Sequence, residues 1–409
     1  MNMRTASLRA RNDGTVRGGR GNGFGFVLTM VALIFLVSAP ILNLVIPYSQ
    51  AGGNFLMKFH PASWIALVLF LHILQFPAAN RLDAHYRNAV FLFVFVCVLL
   101  GLQGKGAVMS SLIDVQITPA ILLVALSRLP LEQARAAIAL FVWIITLNVL
   151  LVALEFVLRT PILPREFVEV IFRPAGLFGH PINAGLLFCC AMLLLTRGAV
   201  GTFARRPLML AFLGGTALCG VRGPLAIAAA IFIVNVIKPT LPRRSAIDYF
   251  LDFGVLFAVP IVVTIAYSVG AFDRILSLGV WEESSQSRLF IFDALDWLRS
   301  DEFWWGIDSY DRMEELTKSA TGGRYIENSF VFITFAAGYP MALLASLSLT
   351  FLQAPALRRS LLFAMTFTLA AFATIAFTTK GSSSAGIALA GYWIWRLDYE
   401  RKHRVQSSP

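Results

Sequence analysis

The chain contains few charged residues. Only 14% of its 409 residues are Asp, Glu, Lys or Arg, whereas a soluble domain contains about 25%. Hydrophobic residues make up 57% of the chain, and the mean hydropathy is +0.73. This composition excludes an ordinary soluble protein and predicts an all-α polytopic membrane protein.

Cysteine and the common catalytic motifs are also scarce. Cys97, Cys189, Cys190 and Cys219 lie inside apolar runs without CxxC spacing, so we expect core residues rather than disulfides or metal ligands. There is no Walker A, HExxH or GxSxG motif, and no GxGxxG with a correctly spaced acidic residue. Any chemistry must therefore come from dispersed residues.

Long apolar runs dominate the chain. A run of about 17 to 25 residues is long enough to cross about 30 Å of hydrocarbon as a helix. We predict twelve such spans, at residues 24–46, 62–79, 88–102, 107–126, 136–158, 178–196, 207–220, 223–237, 250–269, 328–352, 360–378 and 383–395.

Basic residues fall in every second gap between these spans. Because Lys and Arg are retained on the cytoplasmic face, this alternation predicts that both termini are cytoplasmic. The arm 1–23 is predicted to be basic and disordered, the first span a retained anchor, and 396–409 a cytoplasmic tail. Topology and anionic lipid account for the net charge of +11, so we predict no nucleic-acid partner.

One long loop, residues 270–327, separates spans 24–269 from spans 328–395. Its acidic residues outnumber its basic ones by twelve to six, although the whole chain is basic. The spacing of Leu289, Phe292, Leu295 and Leu298 predicts an amphipathic helix. Tryptophans in this loop suit either sugar stacking or a membrane interface, and the interface is favoured.

Polar residues collect at four places on the face opposite the cytoplasmic one. These are Arg173 with His180 and Asn183, then Arg222, then Arg288, and finally Arg324 with Glu327 and Asn328. Charges near membrane depth usually mark function. Several arginines on one face suit a lipid-linked diphosphate, because guanidinium groups make paired hydrogen bonds to phosphate oxygens.

Each of these residues also has a structural alternative. Arg173 and Arg222 can reach lipid headgroups, His180 can cap the helix that follows it, and Arg288 can pair with nearby carboxylates. Glu327 suits any helix start. Two acidic residues lie in spans: Glu155 is expected to pair with Arg159, and Asp114 with Lys105 or the bundle interior.

The motifs around these residues resemble the O-antigen ligase and polysaccharide polymerase superfamily of bacterial inner membranes. The resemblance is carried in order by "RPAGLFGHPINAGL", "GVRGPLAI", "SSQSRLFIFDAL" and "IENSFVFITFAAGYP". Glu327 stands where ligases of the family usually carry His, and Val221 replaces the Ser of the turn motif. The sequence therefore looks closer to polymerases of exopolysaccharide, capsule or O-antigen repeats.

The resemblance implies a C-type glycosyltransferase architecture with a periplasmic site and an undecaprenyl-diphosphate-linked oligosaccharide as substrate. It implies Glu327, His180 and Arg288 as catalytic residues, and Arg173, Arg222, Asn183, Arg324 and Asn328 as substrate-binding residues. No metal or other cofactor is implied, and chain-length regulator and export proteins are possible partners. A ligase that transfers finished glycan to lipid A core or protein is the first alternative. A transporter of lipid-linked sugar is the second, although we find no internal repeat.

Overall fold

The computed structural model describes residues 20–49, 54–163, 165, 172–237, 254, 264, 267, 291–321, 326–372, 374, 376–378 and 380–407. Within these residues the regular structure is helical, and no β-strand occurs. Residues 1–19 of the predicted arm 1–23, most of the predicted span 250–269 and two predicted site residues, Arg288 and Arg324, lie outside the described residues. Residues 20–23 of that arm are helical, because α1 begins at Arg20.

Sixteen α-helices are described in these ranges. They are α1 Arg20–Leu36, α2 Ala39–Leu42, α3 Pro61–Leu74, α4 Arg81–Leu102, α5 Gly106–Leu112, α6 Thr118–Arg128, α7 Leu131–Leu158, α8 Pro181–Thr196, α9 Thr202–Leu218, α10 Arg222–Ile237, α11 Ser300–Trp305, α12 Tyr310–Thr321, α13 Ser329–Ala337, α14 Tyr339–Leu357, α15 Leu361–Phe372 and α16 Ser383–Ser407. A π-helical turn, Ile113–Ile117, joins α5 to α6, and short 3-10 helices span Phe55–Lys58, Gly176–Phe178 and Asp293–Trp297.

Four helical stretches of the described chain are long and apolar enough to cross a membrane. They are Arg81–Leu102, Gly106–Arg128, Leu131–Leu158 and Tyr339–Leu357. Five further apolar helices have 10 to 17 residues. The protein is therefore a helical membrane protein, and the total of twelve spans stays a prediction.

Helix α8 lies at the centre of the bundle. All of its residues except Asn183 are buried, and it packs against α7, α9, α10, α15 and α16. Cys189 and Cys190 of this helix are fully buried, as is Cys219 after α9, and Cys97 is 6% exposed. The prediction that the cysteines are core residues is confirmed.

Basic residues from separate gaps meet at one end of the bundle, which we call the arginine end. Arg87 and Arg128 both bind the buried carboxylate of Asp83, at 2.8 and 3.2 Å. Arg396 donates to the carbonyl of Ser127, and Arg359 pairs with Asp398. Parts of four helices therefore lie at the arginine end: the start of α4, the ends of α6 and α14, and the C-terminal half of α16.

The opposite end, which we call the loop end, carries the segment 291–321. Lys105, between α4 and α5, donates to Asp308 at 2.5 Å and to the carbonyl of Ile307 at 3.3 Å. Ile291, Ala294 and Ile307 form a small core with Val331 and Phe335 of α13. This contact attaches the segment to the ends of the helices.

The loop helix differs from the prediction. Residues Asp293–Trp297 form a 3-10 helix, and Phe292 on the predicted apolar face is 39% exposed. Ile291 and Ala294 are buried instead, because the segment packs on α13. The helices of this segment are α11 and α12, which begin after the predicted one; Leu289 lies outside the described residues.

The predicted span 328–352 is broken in two. Asn328, at the start of α13, binds the carbonyl of Phe372 at the end of α15. The other end of α13 stops at Gly338, where φ is 89° and ψ is 159°, a conformation open essentially only to glycine. Only α14, which follows Gly338, is long enough to cross a membrane.

Candidate functional site

The loop before α8 is built on a buried carboxylate. The Glu155 side chain, at the end of α7, is fully buried and accepts hydrogen bonds from the backbone N–H groups of Ala175 and Gly176 at 2.8 and 2.9 Å. It also accepts from the N–H of Ile162 at 3.0 Å and binds Arg165 at 2.8 Å. The sequence predicted Arg159 as the partner of Glu155, whereas in the structure Glu155 forms its ion pair with Arg165.

Asn148, two turns earlier on α7, completes this support. Its Oδ1 accepts from the N–H of Leu177 at 2.7 Å. Gly176 has φ of 57°, and a Cβ there would lie 2.2 Å from Asn148 Oδ1, so only glycine fits. The backbone that follows Arg173 is thus fixed by two side chains of α7, and Arg165 also donates to the Arg173 carbonyl.

Arg173 lies against the turn that carries Arg222. Gly220 of this turn has φ of 63°, and the Cδ of Arg173 lies 3.7 Å from where its Cβ would be. Arg222 begins α10 two residues later. Both arginines are half-buried. Two segments that are far apart in sequence therefore meet here, with the Arg173 side chain against the turn from which Arg222 begins α10.

The first turn of α8 packs beside this turn. A Cβ on Gly185 would lie 2.7 Å from Val221 and 2.9 Å from Pro224, so the helix approaches closely. His180 caps α8: its Nδ1 accepts from the N–H of Ile182 at 3.3 Å, which confirms the predicted capping contact. Asn183 is half-buried in the first turn. The start of a helix adds partial positive charge near the two arginines.

Asn328 and Glu327 stand at the start of α13. Asn328 is fully buried; its Oδ1 accepts from the N–H of Val331 at 3.0 Å and its Nδ2 donates to the Phe372 carbonyl at 3.2 Å. These contacts make Asn328 a helix cap that holds α13 to α15, and its role as a substrate ligand stays a prediction. Glu327, the residue just before Asn328, is half-buried.

The starts of α8, α10 and α13 all lie at the loop end. Helix α8 ends beside Asp398 of the arginine end, and α15 runs from there to Phe372. Helix α15 packs on both α8 and α10, and Gly223 lies directly against its Leu369. The described site residues therefore share one end. Among the described residues, no group of His, Cys, Asp and Glu is suited to hold a metal ion.

A second polar cluster surrounds Asp114 in the π-helical turn. Its carboxylate accepts from the Tyr48 hydroxyl at 2.7 Å, the Ser63 hydroxyl at 2.6 Å and the His60 N–H at 3.1 Å. Lys380, in the connection between α15 and α16, lies 3.8 Å away. Of the two environments predicted for Asp114, the structure shows the bundle interior. Lys105, the other predicted partner, binds Asp308 instead.

Lys380 ties this cluster to the loop end. It donates to the carbonyls of Tyr48 and Lys58, and burial lowers the pKa of its ammonium group to about 8 against the opposing effect of Asp114. The cluster surrounds a cavity of about 30 Å³, room for about one water molecule. Lys380 was not among the predicted site residues. The feature of the sequence that could have indicated it is a lysine in the short gap between two predicted spans.

Comparison with known proteins gives no further assignment: no family model matches the chain, and no curated protein matches it.

Proposed function

We propose that this protein is a membrane glycosyltransferase that polymerises lipid-linked oligosaccharide repeat units. The growing glycan is transferred from undecaprenyl diphosphate to a sugar hydroxyl on the next lipid-linked repeat, at the periplasmic face of a bacterial inner membrane. The loop end is the periplasmic end in this proposal, and the arginine end is cytoplasmic.

The observation that carries the proposal is the placement of Arg173 against the turn of Arg222. The loop of Arg173 is fixed by Glu155 and Asn148, so its position is set before any ligand binds. Two arginines at one turn are suited to a diphosphate, whose negative charge grows as the glycosyl bond breaks. Preorganised cations lower the cost of that charge development.

In the proposed reaction, the hydroxyl oxygen of the acceptor sugar attacks the anomeric carbon of the donor glycan. The bond between that carbon and the phosphate oxygen breaks, and undecaprenyl diphosphate leaves with the electron pair. Configuration at the anomeric carbon inverts. The hydroxyl proton passes to a general base, for which Glu327 is the first candidate and His180 the second. Arg173, Arg222 and Arg288 stabilise the leaving group, and Asn183 and Arg324 orient substrate oxygens.

The first prediction concerns Arg222. Replacement by Ala removes one cation from the leaving-group site, and loss of a single transition-state donor costs about 10²- to 10³-fold in rate. We therefore expect Arg222→Ala to reduce polymer formation by at least about tenfold, and Arg222→Lys to restore part of it. The measurement is a gel of products formed by purified protein from a lipid-linked repeat unit.

Arg135→Ala is the matched control, because Arg135 is a partly exposed arginine paired with Glu132 at the start of α7, away from this turn. It should retain normal yield. A ladder of products supports a polymerase. A single transfer onto an added acceptor would show a ligase, and unchanged substrate that crosses the bilayer would show a transporter. Normal ladders from Arg222→Ala would remove the diphosphate role of that residue.

A further inference from the structure

Two adjacent tryptophans at the end of α11 are exposed. Trp304 is 53% exposed and Trp305 is 64% exposed. Exposed patches of large apolar side chains usually mark a contact with a partner or a membrane. The proposed reaction does not use them.

The position of α11 is fixed by close backbone contacts with α13 and α14. A Cβ on Gly338 would lie 2.3 Å from the carbonyl oxygen of Trp304, and a Cβ on Gly306 would lie 2.5 Å from the backbone nitrogen of Ala337. The N–H of Ile307 donates to the carbonyl of Phe335 at 2.7 Å. The two tryptophans are thus held beside the first turn of α14.

Aromatic stacking adds to this attachment. The ring of Phe303 stacks on Tyr339, the first residue of α14, with centroids 4.9 Å apart and planes 15° apart. Trp304 meets Phe303 edge to face at 5.5 Å. A change in the height of α11 relative to α14 would break the stacking of Phe303 on Tyr339, so the tryptophans keep a fixed level along the α14 axis.

Below this level, α14 and α4 present a continuous apolar surface. Leu343, Leu347 and Phe351 are exposed on α14 at intervals of one helical turn, and Val98 and Leu102 are exposed on the adjacent α4. Both helices are long and apolar enough to cross a membrane. In a membrane protein, this surface is the one that faces lipid, and Trp304 and Trp305 stand at its loop end.

We propose that Trp304 and Trp305 insert into the interfacial region of the lipid bilayer and anchor the segment 291–321 to it. Tryptophan favours this region because its large ring is apolar while its indole N–H hydrogen-bonds to headgroups or water. The occupant is the bilayer, because the exposed rings lie beside the first turn of α14, and the exposed apolar residues of α14 lie on the turns that follow. The proposal does not depend on the transferase reaction.

Trp297 provides an internal comparison. It is 46% exposed and belongs to the same segment, but its carbonyl accepts from Arg312, whose guanidinium also binds Glu302 and Glu315. This neighbourhood is charged. We expect the Trp297 ring to face water rather than lipid.

The test uses the full-length protein reconstituted in vesicles of phosphatidylcholine with brominated acyl chains, which quench tryptophan on contact. The difference in tryptophan emission between the wild-type protein and the double variant W304F/W305F gives the signal of the two rings. That signal should be quenched at least about twofold by lipid brominated near the headgroup, and less by lipid brominated at the chain end. The signal isolated in the same way by Trp297→Phe should respond to acrylamide in water.

A second measurement does not rely on these variants' emission. A spin label on Trp305→Cys should be more accessible to oxygen, which dissolves in lipid, than to a water-soluble nickel complex. The native cysteines are at most 6% exposed and compete little for the label. The proposal is overturned if the isolated signal responds to acrylamide alone, if the label prefers nickel, or if soluble oligosaccharide shifts the emission while brominated lipid does not.

Discussion

At the residue scale, the site depends on groups that contact no substrate. The buried Glu155 carboxylate accepts hydrogen bonds from four donors, and two of them are the backbone N–H groups of Ala175 and Gly176, just after Arg173. A buried carboxylate is tolerated only when such partners satisfy it. The position of the Arg173 loop is therefore determined by a residue on a different helix.

The second prediction follows from this carboxylate. Glu155→Ala leaves Arg165 and the loop N–H groups without their acceptor, so we expect a loss of about 3 to 5 kcal/mol in the free energy of unfolding. Thermal unfolding of the purified protein in detergent measures it as a lower midpoint. Glu132→Ala is the control, since Glu132 forms an exposed pair with Arg135 and should change stability by less than about 1 kcal/mol. Equal midpoints for the two variants would contradict the assigned role of Glu155.

At the element scale, the chain turns sharply between α13 and α14. Gly306 and Gly338 both adopt backbone angles open essentially only to glycine, with φ of 80° and 89°. Each glycine packs against backbone next to the other, at Ala337 and at Trp304. The absence of side chains at both positions is what lets the segment 291–321 lie directly on the helix ends.

The third prediction concerns this contact. Gly338→Ala adds a Cβ that would lie 2.3 Å from the Trp304 carbonyl oxygen, in addition to strain at a positive φ. We expect it to destabilise the protein by about 2 kcal/mol or more, and to detach α11 from α14. Limited proteolysis within 291–321 should become faster, and the thermal midpoint should fall.

Gly214→Ala, on α9, is the control, because nothing lies within 4 Å of its added Cβ and its φ is not positive. It should be neutral or slightly stabilising, since alanine favours helices. If both variants were cleaved at the wild-type rate, the close contact at Gly338 would not hold the segment.

At the scale of the whole molecule, the two ends of the bundle differ in chemistry. Arginines bound to Asp83, Asp398 and backbone carbonyls occupy one end. The segment 291–321, the Glu155 support and the Asp114 cluster occupy the other. If the bundle spans a membrane as proposed, the two ends face different compartments.

The fourth prediction tests the proposed orientation. Ser319 on α12 and Arg358 after α14 are both exposed, at opposite ends of the bundle. In intact cells, a membrane-impermeant maleimide should label Ser319→Cys and not Arg358→Cys, while lysed cells should allow both. The buried native cysteines supply a low background. Labelling of Arg358→Cys alone in intact cells would reverse the orientation.

Local features of the chain were readable from the sequence. Apolar run length and low charge predicted a helical membrane protein, and the alternating basic residues predicted that Arg87, Arg128, Arg359 and Arg396 lie on one side of it. The cap formed by His180 followed from its place before Pro181. These features were accessible because hydrophobic length, charge sign and capping depend on neighbouring residues, and the membrane imposes the same rule on every span.

Contacts between distant segments required the tertiary structure. The sequence paired Glu155 with Arg159, extended a span through Gly338 and did not single out Lys380 as a partner of Asp114. Packing decided each of these, because a buried charge binds whichever donors the fold brings within reach, and glycine conformation depends on the backbone that lies against it. Hydrophobicity and charge in the sequence by themselves determined the class of protein; the packing of α7, α10 and α14 against distant loops decided where Arg173, Arg222 and the exposed tryptophans lie.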